Sequence, residues 1–275
     1  AKGKTTLIRP ANVTEVIRNP DTRRVCGVQY QTAEGNQVKI YAPLVVGTDG
    51  QQSVIRRQLN IPWQPYLYDH AYLGLEADRP PTYENAMSVH LHADGGILVM
   101  PHPQRVGVGV LVEAGSAGYW LKMSDAQLSE VLATRAPLLA GMQLYRQGSH
   151  VYTLSRSHAP YYHADGAVII GDAAHATNPT AGQGMALALM DAGVLAELVG
   201  PALQKGEYNL ESYLQSFQAQ QWPGNQKLVR SAHWLAKIYA LRGNHWQRLK
   251  TAAIRFLAHP RAEKLVRPVI NTFLT

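Results

Sequence analysis

The run Gly171-Asp172-Ala173-Ala174-His175, followed by Pro179 and then by Gly182-Gln183-Gly184-Met185, gathers residue types that can hold a flat ligand with a polar edge. The apolar stretch before it, Ala167 to Ile170, reads as a buried strand, which puts Asp172 at a carboxyl edge where its carboxylate can accept hydrogen bonds from sugar hydroxyls. Small Ala173 and Ala174 allow close approach. Gly182 and Gly184 strip side chains from a helix start, so backbone N–H groups and the positive end of the helix dipole face whatever lies ahead. Such a site suits an electron-rich ring edge or an anion, and on its own it describes several nucleotide or anion sites. A second cluster follows the apolar run LVVGTDG: Asp49 and Gly50 close a buried-type strand, with Ser53 and Arg56 just beyond.

Other reactive groups read better as structure. His90 and His92 share a strand face without a third ligand at a recognised spacing, so a surface pair is favoured over a metal site and no metal is expected. His175 reads as a packing or turn residue with general-base catalysis the minority view, and Asp191 as orienting neighbouring backbone. Ser53, Asp172 and His175 form no hydrolase signature, because no GxSxG elbow is present. Cys26 is the single cysteine, which excludes an intrachain disulfide and a thiolate metal cage and leans toward a reducing compartment.

The elements that must position these groups follow from the patterning. Val13 to Ile17, Arg24 to Thr32 and Gln37 to Val46 predict a three-stranded meander, with a turn at Glu34-Gly35-Asn36. Ser53 to Leu59 predicts a short helix. From Trp63 to about Ser157 the texture changes to short strands at Ala86 to His92, Gly96 to Met100 and Val106 to Val112. One helix, opened by the capping box Ser124/Gln127, interrupts them and ends near Gly141. A long helix should run from the second glycine cluster through Leu198 until Gly200-Pro201 stops it, and Asn209 to Trp222 suggests another.

GDAAHATNPTAGQGMALALMDA is similar, nearly position by position, to the GD motif of class A flavoprotein monooxygenases, the family of para-hydroxybenzoate hydroxylase. VVGTDGQQSVIRRQL resembles that family's DG motif, and the 123 positions separating Asp49 from Asp172 leave room for the sheet domain the family inserts between the two. The resemblance implies an α/β (α+β) fold: an incomplete FAD-binding Rossmann-like domain with an inserted antiparallel-sheet substrate domain and C-terminal helices. The expected division is 1–62 (partial FAD-binding domain), 63–157 (substrate domain), 158–200 (the rest of the FAD-binding domain) and 201–275 (helical).

As the resemblance implies, Gly171 and Asp172 would meet the ribityl or ribose hydroxyls. Gly182, Gln183, Gly184 and Met185 would line the flavin ring with backbone groups, and Pro179 would sit over it. Asp49 and Gly50 would lie by the pyrophosphate, with Ser53 and Arg56 fixing that loop and meeting the passing nicotinamide; Arg156 matches a frequently basic family position. The implied reaction uses FAD and NAD(P)H to insert one atom of molecular oxygen into an aromatic or quinone-like substrate. An FAD-dependent reductase or halogenase on the same scaffold, and a non-catalytic truncated remnant, are the alternatives; the halogenase signature WxWxIP is absent from these residues. The family's GxGxxG segment is also absent, and Gly107-Val108-Gly109 lies in a strand pattern instead. The expectation is therefore a chain that starts in mid-domain and binds FAD poorly in isolation.

At 275 residues, 46% hydrophobic and 16% charged, the chain has ordinary globular composition, which excludes disorder. Its net charge of +7 is concentrated late. From Leu228 onward, Arg230, Lys237, Arg242, Arg248, Lys250, Arg255, Arg261, Lys264 and Arg267 face the lone acid Glu263. Trp246, Leu249, Ala253 and Phe256 recur at helical spacing among those cations. That tail reads as a packed helix with a solvated cationic face, with contact to an anionic membrane surface the sharper alternative; no module supports nucleic acid. Neither a signal peptide nor about 18 consecutive apolar residues is found, so the expected location is cytoplasmic or membrane-peripheral.

Overall fold

The structure, a computed structural model, describes residues 5–257. In chain order the elements are β1 (Ala11–Arg18), β2 (Val25–Thr32), β3 (Gln37–Tyr41), β4 (Val45–Gly47), α1 (Val54–Gln58), β5 (Tyr66–Asp78), β6 (Ser88–His90), β7 (Ile97–Pro101), β8 (Arg105–Glu113), α2 (Ala117–Lys122), α3 (Asp125–Arg135), β9 (Leu144–His158), β10 (His163–Ala164), β11 (Ala167–Ile169), β12 (His175–Ala176), α4 (Gly184–Gln204), α5 (Glu211–Ala240) and α6 (Asn244–Leu257). They fall into two compact units, one made of residues up to Tyr66 plus Arg156–His233, the other of Leu67–Ser155 plus the chain from Trp234.

The first unit holds the meander β1-β2-β3 and a separate small sheet in the order β10-β11-β4. The continuous third strand expected over Gln37 to Val46 is in fact two. Ala42 and Pro43 interrupt it, proline supplies no ladder N–H, and β4 leaves the meander to pair in parallel with β11. That pairing places Gly47 opposite Ile169. A Cβ on Gly47 would come within 2.9 Å of the Ile55 side chain, so glycine is what lets α1 pack down on the strand. The core beneath is Val25, Val45, Ile55, Val168, Ile169, Leu195, Leu214 and Phe217.

Two helices outrun their predicted ends. α4 continues past Gly200-Pro201 to Gln204 at the cost of one helical hydrogen bond, because Val199 and Ala202 on either side of the proline are buried. Gly206, at φ +76°, is the actual stop. α5 passes through Pro223 instead of ending at Trp222, since Leu214 and Phe217 before it and Val229 and Ala232 after it are all buried. Packing on both sides outweighs the local cost of about 3 kcal/mol for an interior proline.

In the second unit the sheet runs β9-β5-β8-β7-β6, with β5–β8, β8–β7 and β7–β6 antiparallel. β5 and β9, its two longest strands, are not among the strands expected from sequence. β9 (LYRQGSHVYTLSRSH) lacks a clean apolar alternation, and the 15-residue run is held by its neighbours more than by its own pattern. One face carries Leu73, Leu75, Ile97, Val99, Val108 and Val110 against Leu128, Leu132 and Leu139. α3 has the expected capping box, Ser124 and Gln127 each bonding the other's backbone, and it ends at Arg135 ahead of Pro137 instead of near Gly141.

Candidate functional site

β4 and β11 lie side by side and parallel, so the loops that leave their carboxyl ends emerge at one edge. One loop carries Asp49 and Gly50, the other Gly171 and Asp172. The join is close: Ile170 N–H donates to Gly47 O at 3.0 Å.

The Asp49 carboxylate is turned into its own loop. It accepts from the Ser53 hydroxyl and from the backbone N–H of Val54 (2.6 Å) and Ile55 (3.1 Å), satisfying the first donors of α1. Ser53, fully buried, accepts in turn from Arg56 N–H at 2.9 Å. Gly50 sits at φ +75° with no atom within 4 Å of where a Cβ would be, so its backbone is open to a ligand. Arg56 is 2% exposed. Its guanidinium donates to Gln51 O (2.6 Å) and, across to the second motif, to Ala173 O (2.8 Å), and it stacks 3.6 Å over the Trp63 ring. Burial pulls its pKa down, opposed by Asp49. Arg56 is therefore the strut that fixes one motif loop against the other.

The second loop is fixed from behind. Asp191 on α4 is fully buried; its Oδ2 accepts from Gly171 N–H at 3.0 Å and lies 2.6 Å from His175 Nε2, while Oδ1 accepts from Asn225 Nδ2 at 3.0 Å. Gly171 has φ +58°, and a Cβ there would meet the Ala188 Cβ at 3.0 Å. The turn therefore needs glycine twice, for its dihedral and for its closeness to α4. His175 serves this network and is buried, while Asp172 is exposed, with no hydrogen bond or ion pair among the described residues.

Beyond the turn, Asn178 caps a 3₁₀ turn, Pro179–Ala181, that ends on Gly182 in the left-handed region. α4 then starts at Gly184 with Gln183 in the capping position, no side-chain cap and no acid in the first turn, which leaves its leading N–H groups unclaimed. Pro179, Gly182 and Met185 are exposed, Met185 at 79%. Among the described residues no atom lies within 4 Å of where a Cβ on Gly182 would stand. Arg156 lies 5.3 Å from the Tyr66 ring centroid with its Nε buried and unpartnered. Its place is beside Tyr66, and no hydrogen bond or ion pair ties it to either motif loop among the described residues. An outward carboxylate on one turn, an uncapped helix start beside it and a clear surface at Gly182 are together compatible with a flavin and its polyol chain.

Sequence reading missed His158, on the last residue of β9, because nothing local marks it. Its Nε2 lies 2.6 Å from the Tyr162 hydroxyl, and it pairs in register with His175. Burial, then the neighbouring His175 and Arg230, push its pKa down to about 4. The folded protein thus refuses a proton that the unfolded chain accepts near pH 6.5, so this stability is complete above about 6.5 and is lost as pH falls toward 4. Urea titrations across that window should show a shallower loss in His158→Gln than in the parent; parallel curves would rule His158 out as the cause. Elsewhere, His90 bonds the Ser88 hydroxyl at 3.1 Å, and no group of three metal-ligating side chains occurs among the described residues.

Two loops thus meet at the carboxyl edge of adjoining parallel strands, with a bare helix start alongside. The sequence matches the FAD binding domain family over residues 4–231, and the chain belongs to that family. Among its relatives, the ubiquinone hydroxylase UbiL of Rhodospirillum rubrum is 26% identical over 247 residues, covering 86% of this chain and 54% of that protein. The 3-demethoxyubiquinol 3-hydroxylase of Escherichia coli is 28% identical over 211 residues, covering 75% and 51%. The chain thus spans about half the length of these curated relatives. Among solved structures, PqsL of Pseudomonas aeruginosa, a probable FAD-dependent monooxygenase, superposes with a TM-score of 0.68 at 24% identity over 84% of this chain and 64% of that one. The resemblance to class A FAD-dependent monooxygenases and the α/β fold are borne out, and FAD is the cofactor of the family.

Proposed function

We propose that the protein to which this chain belongs is an FAD-dependent hydroxylase that inserts one atom of molecular oxygen into an aromatic or quinone-like substrate at the expense of NAD(P)H. The observation that carries this is the arrangement of the Asp172 turn and the uncapped start of α4 at one open surface, tied to the Asp49 loop by Arg56. FAD, when bound, supplies hydride acceptance and oxygen activation. The chain's own residues bind and orient. Asp172 would accept from the hydroxyls of the polyol chain. The free N–H groups of Gly184 and Met185 would favour negative charge on the pyrimidine edge of the ring, as helix starts do. Pro179 and Met185 would cover that surface and exclude water. Gly50 would give the pyrophosphate a bare backbone, and Ser53 would hold that loop.

The test uses the complete natural gene product. It should bind FAD, oxidise NAD(P)H in a substrate-dependent way with oxygen uptake, and place label from ¹⁸O₂ in the product. Turnover without label would place it with the reductases, and a folded protein that takes up no FAD would end the reading. Asp172→Ala removes a charge-assisted hydrogen bond worth about 1.5–3 kcal/mol, so FAD affinity should weaken about ten- to a hundred-fold. Unchanged FAD affinity in this variant would remove Asp172 from the site. Relatives named for ubiquinone hydroxylation favour a lipophilic substrate. The basic C-terminal helix fits peripheral membrane contact at the cytoplasmic side, where such a substrate would be met.

A further inference from the structure

Outside the two motif loops, His70 in the second unit is a buried histidine with one ring nitrogen unmet. On β5 the strand alternation turns Tyr68, His70 and Tyr72 to one face of the sheet and Ala71 and Leu73 to the other, where they join the core with Leu128 and Leu132. His70 is 3% exposed. Its Nδ1 lies 2.9 Å from Asp69 Oδ1, and an ionised carboxylate can only accept, so Nδ1 carries the proton and Nε2 keeps the lone pair. The bond from His70 holds the Asp69 pKa down. Burial pushes the imidazole pKa down, opposed by Asp69 and seconded by Lys237 and Arg242. Nε2 is buried and meets no hydrogen-bond partner among the described residues. Buried polar atoms are nearly always paired, and this acceptor is not.

The same residue lines a cavity of about 450 Å³, a volume that holds a small ligand. Two acids and two bases stand around it and cancel in pairs. Lys237 lies 3.8 Å from Asp69, and Arg242 lies 2.6 Å from Glu113, the residue opposite His70 one rung along the β5–β8 ladder. The cavity therefore favours neither an anion nor a cation. Ala114, Ala240 and Leu241 complete its wall with apolar surface. The complement of such a site is an uncharged, largely apolar molecule that offers one hydrogen-bond donor to Nε2. A phenolic hydroxyl, ionising at about 10, is a stronger donor than an aliphatic one and sits on a molecule of that kind.

We propose that this cavity beside β5 binds a neutral aromatic ligand through its hydroxyl, with His70 Nε2 as the acceptor and Asp69 fixing the ring that presents it. The contact is a hydrogen bond, and the proton stays on the ligand oxygen. This deepens the preceding reading and rests on it for one point, that the ligand is the substrate to be hydroxylated.

The experiment titrates the full-length protein, labelled with ¹⁵N-histidine and ¹³C-methyl leucine, with phenol and separately with anisole, the methyl ether that keeps the ring and lacks the O–H. His70→Gln identifies the His70 signals by their loss, and the Leu241 methyl signals report occupancy of the cavity. Phenol should move the His70 Nε2 resonance saturably toward its protonated position. Anisole should bind at least about ten-fold more weakly, the loss of one buried hydrogen bond. His70→Phe should weaken phenol by a similar factor, and His70→Gln, which restores an acceptor at about the reach of Nε2, should return it to within about three-fold of the parent. If His70→Phe fails to fold, the phenol and anisole titrations of the parent decide alone. An Nε2 resonance that saturating phenol leaves in place, or that anisole moves as far, overturns the proposal. So does full phenol affinity in a folded His70→Phe. No arm reads turnover: a ligand held by His70 without labelled product sinks the catalytic reading alone, and labelled product with Nε2 unmoved sinks this site alone.

Discussion

Asp191→Ala is expected to destabilise the fold by about 3–5 kcal/mol, the cost of breaking a buried hydrogen-bonded network from one side. The carboxylate takes three buried partners: Gly171 N–H, His175 Nε2 and Asn225 Nδ2. Alanine would take this acceptor from all three in a buried site. Urea denaturation of the complete protein, without added FAD, measures this directly. Asp191→Asn keeps the shape and one acceptor oxygen, so it should fall between parent and alanine. A loss below about 1 kcal/mol for the alanine variant would mean that the turn is held by packing and not by this carboxylate.

Arg56→Ala should cost about 2–4 kcal/mol and, in addition, loosen the cofactor site. The guanidinium spans two carbonyls on different loops, Gln51 O and Ala173 O, while its face covers Trp63. Removing it empties that space and leaves both carbonyls unpaired. Desolvation of the buried cation offsets part of the loss, and burial is also what lowers its pKa. Arg56→Lys separates geometry from charge: an ammonium cannot fork to both carbonyls and stack at once, so lysine should recover only a minor share of the stability. FAD titration of the folded variants would show weaker binding, because the Asp49 and Asp172 loops would no longer be held in register. Near-parental FAD affinity in a stably folded Arg56→Ala would show that the strut is structural alone.

The two predictions differ in how far sequence could have reached them. Gly171-Asp172, the Gly182–Met185 helix start, the short helix after Ser53 and the Ser124/Gln127 box are local patterns, and each formed where its residues said it would. A cap or a glycine turn is decided within about four residues, which is the range of the hydrogen bonds that make it. The amphipathic spacing of Trp246, Leu249, Ala253 and Phe256 likewise predicted α6.

Three things depended on tertiary structure. β4 broke from the meander because a parallel partner, β11, was available more than a hundred residues later. α4 and α5 ran through Pro201 and Pro223 because buried side chains beyond each proline outweighed a local penalty. The bonds that tie the site together, Arg56 to Ala173 across 117 positions, Asp191 to Gly171 across 20 and Asn225 to Asp191 across 34, join residues with no mutual pattern in the chain. Sequence fixed which residues could meet a flavin and which helix was amphipathic. Only the packed fold decided which carboxylate faces outward and which is spent inside, because long-range contact energies are invisible to any short window of residues.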